Sequence, residues 1–182
     1  MKKVIVILSL VAIAGIAAYI AYRVIGSRSL SPSQTVTYQY KGLDVKVIYC
    51  RPSKRGRLIF GDSIDGALIP NGKYWRLGAN AATEITFSKD VSFAGNPLKA
   101  GSYRMYAVPN RLSWQISLNS ELGKWGFDEP DSTLDVLKAE VPVESAPTAK
   151  EQFTISFENE SAGLIMELAW DKEYLRIPIE GK

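Results

Sequence analysis

The chain predicts an all-β fold: an antiparallel β-sandwich, jelly-roll-like, preceded by one N-terminal transmembrane helix. Three observations carry that expectation. From about residue 34 onward, apolar and polar residues alternate with a period of two, the mark of strands buried on one face. Gly, Pro, Asn and Asp turns separate the alternating runs. No window beyond the leader sustains the 3.6-residue period of an amphipathic helix.

The elements follow in chain order. Residues 4–22 (VIVILSLVAIAGIAAYIAY) are uncharged and almost wholly apolar, close to the length that roughly 30 Å of hydrocarbon requires. Lys2 and Lys3 precede them, which favours a cytoplasmic N-terminus. The run is longer than the apolar region of a cleaved signal, and Tyr19, Tyr22 and Arg23 resemble an interfacial anchor. Residues 1–23 are therefore expected to be a signal anchor, while the Ala-rich stretch Ala12 to Ala18 keeps cleavage open. Either outcome places the domain in the periplasm or outside the cell. Residues 24–33 read as a short tether and residues 34–180 as one domain.

Within that domain, Val36, Tyr38 and Tyr40 alternate with polar neighbours. Lys41-Gly42 is a hairpin turn, and Leu43, Val45, Val47 and Tyr49 form the returning strand. Ile85 and Phe87 mark the next strand, Val91 and Phe93 a short one, and Tyr103, Met105 and Ala107 another. After Pro109-Asn110, Leu112, Trp114, Ile116 and Leu118 alternate again. Further strands are expected at Leu137 to Val143, Phe153 to Phe157, Leu164 to Trp170 and Leu175 to Ile179, with one helical turn around Ser120 to Trp125.

Composition excludes whole classes of chemistry. With no histidine, the usual general base, imidazole metal sites and Ser-His-Asp or Cys-His arrangements are all out of reach. The single Cys50 can form no intramolecular disulfide and reads as a small buried hydrophobe. No cofactor or metal is expected. From residue 23 onward, 20 basic and 19 acidic residues leave a nearly neutral domain, so a nucleic-acid partner is not expected. The one dense basic run is Arg51, Lys54, Arg55, Arg57, which is either a solvated loop or a contact for an anion.

The stretch from Tyr49 to Phe87 breaks the alternation. Loops of this length are usually functional or disordered, and Leu58, Ile59, Phe60, Leu68, Ile69 and Trp75 give this one too much apolar mass for disorder. Arg51, Arg57 and Arg76 share it with Tyr49, Trp75 and Asn80. Guanidinium groups fork onto carboxylate or phosphate, and aromatic faces stack on sugars or planar groups. These six are the candidate ligand-binding residues. The structural alternative stays open: Arg51 pairing with Asp44 or Glu84, Asn80 tying down a turn, and Trp75 plugging the end of the sandwich. Asp62 and Asp65 fall short of a calcium loop, and Glu84, Asp90, Glu121, Asp128 and Glu129 are unpaired in sequence. Asn159-Glu160-Ser161 fits a glycosylation sequon.

The block Arg51-Pro52-Ser53, Gly56-Arg57, Ile59-Phe60-Gly61, Leu68-Ile69-Pro70, Gly72, Trp75-Arg76 and Gly78 to Thr83 resembles the signature of the bacterial domain-of-unknown-function family 2911. Ala100 to Tyr103 and Trp125-Gly126 extend that resemblance over about Ser31 to Ile179. It implies an exported, mostly β envelope domain and brings no catalytic residues with it. The stretch Asp62 to Asp65 departs as a small insertion, and the leader departs from a cleavable signal. The expectation is a membrane-tethered module that binds a small anionic or glycan ligand or an envelope protein. A carbohydrate-active hydrolase or lyase, using carboxylates or a Tyr/Arg pair, and a purely structural envelope subunit are the alternatives.

Overall fold

Lys41 and Gly42 take φ values of 47° and 77°, the doubly positive pair that a tight two-residue hairpin needs. They fold β1 (Ser33–Tyr40) back on β2 (Leu43–Cys50), with Tyr40 opposite Leu43. This computed structural model describes residues 2–160 and 163–182, apart from the side chains of residues 2, 5, 6, 23–25, 27 and 28. Ser161 of the sequon lies outside the described residues.

The fold is mostly β and built from two antiparallel sheets. β5 (Thr83–Phe87), β8 (Gly101–Pro109), β9 (Ser113–Asn119) and β10 (Asp135–Pro142) join the first hairpin in a six-stranded sheet ordered β1-β2-β5-β8-β9-β10. A four-stranded sheet, β11-β12-β6-β7, comprises β6 (Val91–Phe93), β7 (Asn96–Leu98), β11 (Glu144–Glu160) and β12 (Gly163–Gly181). Both feed one core: Val47, Ile85, Phe87, Met105 and Ile116 from the larger sheet cluster with Phe153, Ile155, Leu168 and Ile177 from the smaller. Each such side chain contributes about 1.5–3 kcal/mol on burial. A buried hydrogen bond also crosses between the sheets, where Tyr49 Oη accepts the Ile155 N–H at 2.9 Å.

Four local expectations change. The strands expected at 164–170 and 175–179 are one strand, β12, which bends at Asp171 (φ 53°) and so keeps one pairing partner along most of its length. No helical turn forms at 120–125; a 3₁₀ turn stands instead at Ser132–Leu134, where the Asp131 side chain accepts the Thr133 N–H. β7 was hidden because its Pro97 weakens any strand reading. The long loop contains a parallel two-strand pair, β3 (Phe60–Gly61) with β4 (Ile69–Pro70).

The leader forms α1 (Lys2–Leu30), and the helix does not stop at residue 23. No proline interrupts it before Pro32, and Ser29 Oγ bonds back to the Gly26 carbonyl. The segment expected as a tether is therefore helical as far as Leu30, leaving Ser31 and Pro32 before β1. Val4, Ile7, Leu8, Leu10, Val11, Ile13, Ile16 and Ile20 are exposed, on all sides of the helix. Among the described residues, no helix is long and apolar enough to cross a membrane. The transmembrane span expected over residues 4–22 is therefore not supported among the described residues.

Tyr49→Phe removes the acceptor of the buried Ile155 N–H and is expected to cost about 1–3 kcal/mol in chemical denaturation. An unchanged midpoint would show that this bond does not join the sheets.

Candidate functional site

After Cys50 the chain leaves the larger sheet and rejoins it only at Thr83. What holds this excursion is Trp75. Its backbone exchanges both hydrogen bonds with Ala107, at 2.8 and 2.9 Å, and its indole N–H reaches the Gly78 carbonyl at 3.2 Å. Its ring stacks on Trp170 at 5.8 Å and meets Phe60, Trp114 and Phe153 edge-on. The following turn is strained. Leu77 and Asn80 have φ of 53° and 57°, a region that Asn tolerates and a buried Leu does not favour. Gly78 sits at φ 145°, so close to β2 that a Cβ there would lie 2.5 Å from the Cys50 carbonyl oxygen.

This turn, the basic run and the end of α1 enclose an open cleft of about 380 Å³. Of the six candidate residues, the structure brings four together here: Arg57, Trp75, Arg76 and Asn80 all line it. Trp75 is only 5 % exposed, so it serves as floor and not as a stacking face. Arg51 and Tyr49 stay outside. Arg51 links the sheets instead, donating to Gln34 Oε1 (2.7 Å) from β1 and to the Phe153 carbonyl (3.1 Å) and Thr154 Oγ1 (3.0 Å) from β11. Its partners are neither Asp44 nor Glu84. Tyr49 points inward with Leu43, Val45 and Val47, so its face belongs to the core.

The cleft is cationic. Its charged lining is Arg55, Arg57 and Arg76, with no Asp or Glu among them. None of the three takes part in an ion pair among the described residues. Arg55 donates to the Leu30 carbonyl at 3.1 Å, Arg57 to the carbonyls of Lys54 (3.0 Å) and Ser53 (2.6 Å), and Arg76 only at 3.5 Å to that of Asn80. A guanidinium offers five N–H donors, so most of these donors are left for another acceptor. Burial pushes Arg76 down from its ordinary value; the nearby Tyr74 opposes this and Arg104 adds to it. Gly126 packs on the Arg76 stem so tightly that a Cβ would come within 2.5 Å of its Cδ.

Sequence reasoning missed three contributors. Arg55 was visible in the basic run but was not separated from its neighbours. Trp170, on β12, completes the floor of the cleft. Behind Arg76 lies Arg104, 1 % exposed, bonded to Tyr74 Oη at 2.8 Å and to the Asp128 carbonyl, with its Nε–H unpartnered. Its outward place on β8 was readable, but its cover, the segment 120–131, carries no periodic signal. Under the same cover, Tyr106 donates to Asp135 Oδ2 at 2.6 Å, and burial first, then that carboxylate, raise its phenol to about 12.

The acidic residues lie elsewhere. None of Glu84, Asp90, Glu121, Asp128 and Glu129 lines the cleft. Glu84 accepts the Gly123 N–H, Asp90 pairs with Lys99, and Glu121 pairs with Lys124. Asp62 accepts from Asn71 and Arg111 at the start of a 3₁₀ turn, Ser63–Asp65. Among the described residues, no group of three or more His, Cys, Asp or Glu could hold a metal. Cys50 is buried and free.

Residues 31–179 match a family described as "Protein of unknown function (DUF2911)". No curated protein and no solved structure matches the chain.

Trp75→Ala is expected to lower stability by about 3–5 kcal/mol, and Gly78→Ala by about 2 kcal/mol or more. Thermal melts of both variants test this, and a wild-type melt for Gly78→Ala would deny the close approach to Cys50. The raised Tyr106 phenol binds its proton more tightly in the folded state. Its stabilising effect is complete below pH 10 and is lost as pH rises toward 12, about 2–3 kcal/mol in all. Denaturation at pH 9 and 11.5 should show a smaller alkaline loss in Tyr106→Phe than in wild type.

Proposed function

The chain belongs to the DUF2911 family of proteins of unknown function, and we propose that it is a non-catalytic, membrane-attached module of the cell envelope that binds an anionic ligand. One observation carries the proposal: three arginines line a single cleft that no carboxylate enters. Guanidinium groups with spare donors recognise phosphate, sulfate or carboxylate through paired, charge-assisted bonds. Three of them around about 380 Å³ suit a small ligand or one charged end of a larger one.

The remaining features support a binding role. The two sheets, packed as a sandwich, form the scaffold and the loop at one end forms the site, a division common in such folds. The Trp75 and Trp170 rings make the floor rigid, and the strained turn at Leu77 to Asn80 holds Arg76 in place, so the site is ordered before the ligand arrives. Attachment to the membrane rests on α1, whose exposed side chains are apolar all round and call for an apolar environment.

The test is titration calorimetry of the full chain in detergent with inorganic phosphate, sulfate, glucuronate and, as a neutral control, glucose. The anions are expected to bind with an affinity that falls as salt rises, while glucose does not bind. Arg76→Gln should weaken anion binding about 10- to 100-fold, the worth of one charge-assisted pair at about 1.5–3 kcal/mol. Equal binding of glucose, or no effect of Arg76→Gln, would overturn the proposal. Attachment is tested separately: after alkaline carbonate extraction the full chain should stay with the membrane pellet.

A further inference from the structure

We propose that the natural ligand of the arginine cleft is the phosphate of an anionic lipid headgroup, drawn from the membrane to which α1 is proposed to attach the chain. This inference rests on the anion-binding reading above and names its ligand. The shared chemistry is a phosphate oxyanion, and the source is the membrane, not the solution.

Position is the first argument. The cleft is stitched to the end of the helix. The carbonyls of Leu30, Ser31 and Pro32 accept, in turn, from the Arg55 guanidinium (3.1 Å), the Asn80 side-chain amide (3.4 Å) and the Arg51 backbone N–H (2.9 Å). Leu30 and Ser31 themselves line the cleft. The apolar run of the sequence ends at Tyr22, and residues 23–30 of the same helix set the cleft about 12 Å beyond it. The headgroup layer takes up about 5–8 Å of that distance, and an ordinary helix tilt shortens it further. The guanidinium groups thus stand within a few ångströms of the lipid phosphates, a gap that a long arginine side chain spans.

The rim is the second argument. Leu68 lines the cleft and is 44 % exposed, and Leu58, whose carbonyl accepts the Leu68 N–H, is 47 % exposed. Ile64, between them in the loop, is 94 % exposed. On the Asn80 side, Trp125 bridges to Ala81 and is 48 % exposed, with Phe127 at 75 %. A cationic hollow with exposed Leu68 in its wall, and further exposed aliphatic and aromatic side chains in the segments adjoining it, matches a charged headgroup on an apolar body. A free inorganic anion would gain nothing from that edge.

The experiment uses the full chain in nanodiscs of phosphatidylcholine alone, of phosphatidylcholine with added phosphatidylglycerol, and of phosphatidylcholine with inorganic phosphate in the buffer. Hydrogen exchange of residues 52–57 and 76–80 is the readout. Phosphatidylglycerol is expected to slow exchange there about tenfold in wild type and in Lys99→Gln, an exposed loss of charge beside Asp90, beyond Phe87 and toward the end of β2 away from Cys50. It should have little effect in Arg57→Gln/Arg76→Gln. Arg57→Gln alone, which alters an exposed side chain, should show an intermediate effect and guards against misfolding of the double variant. Protection by inorganic phosphate but not by phosphatidylglycerol would overturn the lipid assignment and leave the anion site standing. Protection by neither would overturn both. Protection by phosphatidylglycerol that survives in the double variant would show that the lipid acts elsewhere, and would also overturn the inference.

Discussion

The burial of Trp75 among Phe60, Trp114, Phe153 and Trp170 is the contact on which the rest of the molecule depends. Those partners come from the loop itself, from the six-stranded sheet and from the four-stranded sheet. One ring system thus closes the core and fixes a 32-residue excursion, residues 51–82, that has only two short strands of its own. Ordering that much backbone costs on the order of 1–2 kcal/mol per residue, and large aromatic side chains are the densest source of compensating burial. A loop held in this way can carry strain. Leu77 and Asn80 sit in left-handed backbone conformations on either side of Gly78, whose approach to Cys50 leaves no room for a Cβ.

The distribution of charge is selective. Acidic residues stand close to the loop, yet they neutralise other cations: Asp171 takes Lys54, Asp62 takes Arg111, and Glu151 accepts the Arg55 backbone N–H rather than its guanidinium. Among the described residues, Arg55, Arg57 and Arg76 form no ion pair, and Arg104 is buried behind them with its Nε–H unpaired. Gathering like charges is unfavourable, and a half-buried guanidinium loses hydration as well. An oxyanion placed among them would relieve both penalties, which is the physical basis of the anion-binding proposal.

The larger features were legible in the sequence because period-two alternation reports burial directly. β1, β2, β5, β8, β9 and β10 lie where Val36, Val47, Ile85, Met105, Ile116 and Ala139 placed them. The same rule held the answer for Tyr49: its parity with Val45 and Val47 puts it in the core, although its proximity to Arg51 drew it into the candidate site. Arg57, Arg76 and Asn80, which line the cleft, were picked out through composition, since a glycine-rich run holding four arginines is chemically unusual. Arg104 and Trp170 were not, because they reach the neighbourhood through β8 and β12, and strand order cannot be read from alternation. The fusion of two expected strands into β12 was invisible for a related reason: the bend at Asp171 looks in sequence like a turn between separate strands.

The three bonded carbonyls at Leu30, Ser31 and Pro32 have a mechanical consequence. A free linker would let the domain swivel and sweep a wide volume, whereas here a continuous helix passes into the sheet through two residues, Ser31 and Pro32, that are pinned by the loop. The domain therefore behaves as a head fixed on a mast. Its cleft keeps one bearing relative to the helix axis, so that whatever turns the helix turns the cleft by the same angle.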